Sequence, residues 1–77
     1  MTGSVPTIDV RAEWPGRVAE IHVAVSDLVT TEQELATLES MKMLTPILAP
    51  DAGQVTEILV AVDDFVDEGA VIARLAI

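Results

Sequence analysis

The chain has no cysteine and only one histidine, His22, so neither a disulfide nor a metal site of the usual His/Cys kind can hold it together. It has no tyrosine, one tryptophan and one phenylalanine, which leaves the core to aliphatic residues. Positive charge is scarce as well. Four Lys or Arg face thirteen Asp or Glu, for a formal charge of -9 that opposes nucleic acid and anionic bilayers. No run approaches the ~18 consecutive apolar residues of a membrane helix. Met1 to Val5 carry no cation ahead of an apolar stretch, so they do not read as a leader. The expectation is a soluble, cytoplasmic protein with no nucleic-acid or membrane partner.

The 77 residues allow one small domain, expected to span 1–77. Its content of 51% hydrophobic residues, mostly Val, Ile, Leu and Ala, is enough for it to hold by apolar packing and backbone pairing alone.

Much of the chain is a repeat. Residues 16–38 laid over residues 53–75, an offset of 37, give 11 identities in 23 positions, among them Gly16 with Gly53, Val18 with Val55, Asp27 with Asp64 and Leu38 with Leu75. Units this short cannot bury their own apolar faces, so the two copies should pack on each other about a pseudo-twofold axis.

Within each copy the apolar period is two, as in a half-buried strand. Ile21, Val23 and Val25 fall on one face, and Ile58, Val60 and Val62 repeat the set. Turn signals at Pro15-Gly16, Ser26-Asp27, Asp51-Ala52-Gly53, Asp63-Asp64 and Glu68-Gly69 divide the runs. The reading is all-β, with strands near 5–11, 16–25, 33–39, 44–49, 53–62 and 70–76. They should close into a flattened barrel or sandwich, with Pro46 and Pro50 at an edge or at strand ends.

Between the copies lies Glu39-Ser40-Met41-Lys42-Met43-Leu44, which should form a hairpin and holds the chain's only lysine. Tight hairpins favour Gly, Asn or Asp at their centre. This one has none of them, and such local violations are where function overrides folding convenience. A solvated surface lysine beside two core-filling methionines accounts for the composition equally well. Lys42 is no general base or Schiff-base nucleophile, since those need a desolvated amine, but another enzyme can acylate it. His22 reads as a surface or packing residue. Asp63, Asp64, Asp67 and Glu68 lack the ligand spacing of a calcium loop.

Glu39-Ser40-Met41-Lys42-Met43 closely resembles the Glu-Ala-Met-Lys-Met attachment motif of biotin carboxyl carrier domains. Trp14-Pro15-Gly16 is similar to the upstream Met-Pro-Gly turn, and Ala49-Pro50 through Gly53 to the downstream Ala-Pro-x-x-Gly segment. The resemblance covers about residues 7–77 and implies a barrel-sandwich of two four-stranded antiparallel sheets with quasi-twofold symmetry. It also implies that Lys42 is the biotinyl-lysine, that Met41 and Met43 favour biotin over lipoate, and that Glu39 aids recognition by the ligase. A plain charge at a strand end explains Glu39 equally well.

The implied partners are a biotin protein ligase and the biotin carboxylase and carboxyltransferase subunits of an acyl-CoA carboxylase. The domain would have no catalytic residues of its own. Ser40 and Leu44 depart from the common Ala and Glu, and Pro46 is unusual. Glu32 stands where the first repeat usually has Gly. Ser26 to Gln33 is too short for the thumb loop of some bacterial carriers, which implies a thumbless type whose biotin moves more freely. The alternatives are a lipoyl carrier of a 2-oxo acid dehydrogenase complex, or an unmodified barrel-sandwich adaptor module.

Overall fold

Alternating β-branched and apolar residues form strands because each strand can then turn one face to a common core. The computed structural model describes residues 6–77, which contain eight strands and no helix. They are β1 (Thr7–Arg11), β2 (Gly16–Ile21), β3 (Leu28–Val29), β4 (Glu34–Ser40), β5 (Met43–Leu48), β6 (Gly53–Ile58), β7 (Phe65–Val66) and β8 (Val71–Ala76).

Two antiparallel sheets result, ordered β1-β8-β6-β3 and β5-β4-β2-β7. Their inner faces meet in one aliphatic cluster, in which Val18 and Leu75 are fully sealed and Leu35, Leu38 and Val55 are nearly so. Pro46 lies in β5, an edge strand, where its missing N–H costs no ladder bond.

The offset of 37 recurs in the geometry. The Ser26 amide donates to Val55 O, and the Asp63 amide to Val18 O; the Glu32 amide donates to Ala49 O, and the Gly69 amide to Ala12 O. Register shifts fall at Val18/Glu20 in the β2-β4 pair and at Val55/Glu57 in the β6-β8 pair. Gly16 and Gly53 are required for the same reason in both copies. A Cβ on Gly16 would lie 2.8 Å from the Glu39 carbonyl oxygen, and one on Gly53 would press on that of Ala76.

Two strands end earlier than their apolar pattern suggests. β2 stops at Ile21 and β6 at Ile58, and the chain then turns through Ala24–Asp27 and Ala61–Asp64. In each turn the aspartate carboxylate accepts the amide three residues back, at 2.9 Å. Val23 and Val60 still pack on the core, but Val25 and Val62, read as inward, are about half exposed beyond the last ladder pair. The two-residue strands β3 and β7 are too short for a period to show. Of the strand expected over 5–11, residue 5 lies outside the described residues.

Glu32 has φ 68°, and its repeat partner Gly69 has φ 86°. A left-handed conformation costs an L-residue about 1–2 kcal/mol, part of which Gly gives back through its freer unfolded chain. Glu32→Gly is therefore expected to stabilise the protein by about 0.5–1 kcal/mol, raising Tm by a few degrees in a thermal melt. A lowered Tm would mean that the Glu32 side chain contributes a contact worth more than its strain.

Candidate functional site

Strands β4 and β5 pair in register from Glu34↔Leu48 to Ser40↔Met43, which leaves only Met41 and Lys42 to turn the chain. A two-residue hairpin matches the right-handed twist of its strands when both central residues have positive φ. Met41 adopts φ 49° and Lys42 φ 70°. Neither residue is suited to that region, so the tip carries about 2–4 kcal/mol of strain, offset by the ladder behind it.

The methionines are not core filler. Met41 is 94% exposed and Met43 68%, and Leu44 beside them is also open to solvent. Lys42 is exposed too, and among the described residues its amine takes part in no hydrogen bond or ion pair. The tip thus presents a primary amine without a partner, flanked by apolar side chains that the fold does not use. An incoming enzyme can reach and acylate such an amine without first breaking an ion pair.

Glu39 lies just behind the tip, in register with Arg17 on β2 and Leu44 on β5. Its Oε1 accepts from Arg17 Nη2 at 2.8 Å, while Arg17 Nη1 donates to Asp63 Oδ1 at 2.6 Å. The hydrogen bond and charge of Glu39, then those of Asp63, raise the Arg17 pKa above its ordinary value. These groups are exposed, so the pairing adds little stability, but it holds Glu39 toward β2.

His22 is remote from the hairpin in the network. Its Nε2 lies 2.9 Å from Thr37 Oγ1 and 3.2 Å from Glu34 Oε2, and the Thr37 hydroxyl donates to Glu34 at 2.6 Å. Thr37 is thereby satisfied although buried in β4. Among the described residues no three His, Cys, Asp or Glu side chains gather as metal ligands.

Tertiary structure adds residues that the linear motif does not contain. Trp14 and Pro15, from the turn between β1 and β2, line an apolar concavity with Ser40, Met41, Met43 and Thr45. A lone tryptophan at a Pro-Gly turn is the available sequence signal, but nothing local says that the turn abuts the hairpin.

The profile of the family described as "Biotin-requiring enzyme" matches residues 4–75. A biotin/lipoyl attachment protein of Bacillus subtilis (strain 168) is 40% identical over 67 residues, covering 87% of this chain and 92% of that protein. The "Biotinylated protein TB7.3 homolog" of Mycobacterium leprae (strain TN) is 43% identical over 68 residues, covering 88% and 96%. Among solved structures, a single-chain, multi-domain long-chain acyl-CoA carboxylase superposes with a TM-score of 0.88 at 25% identity, over 99% of this chain but only 8% of the carboxylase.

Proposed function

The chain belongs to the biotin and lipoyl attachment family, and from that premise we propose that Lys42 is biotinylated and carries a carboxyl group between two enzyme sites. One observation carries this reading: an amine with no partner among the described residues, held between two exposed methionines at a strained two-residue hairpin tip. In the attachment step a biotin protein ligase presents biotin as its acyl-adenylate. The Lys42 Nζ attacks the acyl carbon and loses a proton, AMP leaves, and an amide bond joins cofactor to chain. Once bound, biotin supplies a ureido nitrogen that accepts and releases a carboxyl group.

The rest is the work of this chain's residues. The β4-β5 ladder fixes where the arm starts. Met41 and Met43 offer apolar contact to the ligase, and Glu39 offers a carboxylate whose ion pair with Arg17 the ligase either reads or displaces. The partner enzymes are a biotin carboxylase and a carboxyltransferase, and the acceptor is an acyl-CoA. Support for that acceptor class comes from the likeness to the acyl-CoA carboxylase. Tethering keeps the carried group at an effective concentration of about millimolar near each site.

The Bacillus relative, a biotin/lipoyl attachment protein, favours a second reading in which Lys42 carries lipoate instead. Intact mass of the protein from cells holding both kinds of ligase separates the two. The expected result is a single biotinyl adduct and a positive streptavidin blot, both abolished in Lys42→Arg. A lipoyl adduct would reassign the cofactor, and an unmodified Lys42 with biotin and ligase in excess would sink the carrier reading.

A further inference from the structure

The two ends of the molecule are related by the repeat, and the turns that lead into its two copies differ in a way that bears on the lysine. Trp14 and Pro15 stand at the lysine end, whereas the positions 37 residues on are Asp51 and Ala52. Of these two turns, only the one beside the hairpin tip carries an aromatic residue. Trp14 is 58% exposed, and Met41 and Met43, which share its concavity, are more so. Leaving an indole and two thioether side chains in water forgoes their burial. Contiguous exposed apolar surface of this kind marks a binding site.

The chain itself identifies the occupant. Met41 and Met43 line the concavity, and Lys42 lies between them, so an arm attached to Lys42 begins at the rim. We propose that this concavity is a resting site for the bicyclic ring of the biotinyl group carried on Lys42, with the Trp14 indole as its main wall. The proposal rests on the biotin-carrier reading above.

The chemistry matches on both sides of the ring. A thioether sulfur packs favourably against an aromatic edge, and the Ser40 and Thr45 hydroxyls can pair with a ureido group. Tethering lets a weak site operate. At an effective concentration of about 1 mM, a site with a dissociation constant of about 1 mM is filled half the time and empty the other half. The ring is then shielded between journeys and still free to swing out. Without a thumb loop the resemblance implies a freely moving ring, whereas this wall restrains it part of the time.

Trp14 is the only tryptophan and the chain has no tyrosine, so intrinsic emission reports on this wall alone. The test compares the whole chain unmodified, acetylated at Lys42 and biotinylated at Lys42, each checked by mass. Biotinylation is expected to shift Trp14 emission to the blue and to lower acrylamide quenching by up to about half, as half occupancy requires. The acetylated form, which loses the same charge without gaining a ring, should match the unmodified chain. Nuclear Overhauser contacts between ring protons and the indole should appear in the biotinylated form. In biotinylated Trp14→Leu the ring, still tethered to Lys42, should move more freely and show slower transverse relaxation.

Complete biotinylation with emission, quenching and ring relaxation identical to these controls overturns the resting site and leaves the carrier reading intact. Failure of Lys42 to accept biotin overturns both.

Discussion

Exchanging Met41 and Lys42, so that the amine moves back one residue along the tip, is expected to slow biotinylation by about a hundredfold or more. Composition, charge and exposure are unchanged by the swap. Both positions already have positive φ, at 49° and 70°, so the backbone accepts either residue without new strain. What changes is the place from which the amine leaves the turn. Acyl transfer needs the nucleophile aligned within a fraction of an ångström on an adenylate held by the ligase, and misplacement by about 1 Å is enough for a loss of that size. The rate with purified ligase, read by intact mass, measures it, and an unchanged melting curve shows that the fold has survived. Modification of the swapped chain within a few-fold of the parent would mean that the ligase selects any exposed lysine.

Leu75→Ala is expected to cost about 2–5 kcal/mol of stability. Leu75 is fully sealed in the central strand β8, in register with Ile8 on β1 and Val55 on β6. At about 0.05–0.15 kcal/mol per residue, a chain of 77 residues has roughly 4–12 kcal/mol to lose. The substitution therefore removes a large share of the whole and should lower Tm by about 8 °C or more, at about 4–8 °C per kcal/mol. Leu38→Ala, at the repeat-related position in β4, should cost a similar amount because its surroundings repeat. Urea denaturation of both variants checks this. Losses under about 1 kcal/mol would mean that the interior collapses around the missing methyl groups rather than keeping a cavity.

The same residues show which features could be read from the chain and which could not. The strand interiors were legible because Val18, Leu38, Val55 and Leu75 alternate with polar residues or alanine, and a period of two is imposed by the backbone itself. The ends of β2 and β6 were not. Val25 and Val62 continue the apolar pattern beyond the last ladder pair, and only the Asp27 and Asp64 carboxylates, closing turns onto Ala24 and Ala61, stop the strands. Leu28 and Phe65 mark the two shortest strands yet are 78% and 75% exposed, so hydrophobicity alone misplaces them. The exposure of Met41 and Met43 was equally unreadable, because the same residues within a strand would have filled the core.

The linear chain determined the repeat, the all-β class and the lysine between two methionines, because periodicity, turn residues and a contiguous motif are local properties. Only the tertiary structure decided that Met41 and Lys42 both take positive φ, that Glu39 pairs with Arg17, and that Trp14 and Pro15 stand beside the hairpin. The last two relations join residues far apart along the chain. They are set by strand register and by how the two sheets pack, which no local pattern encodes.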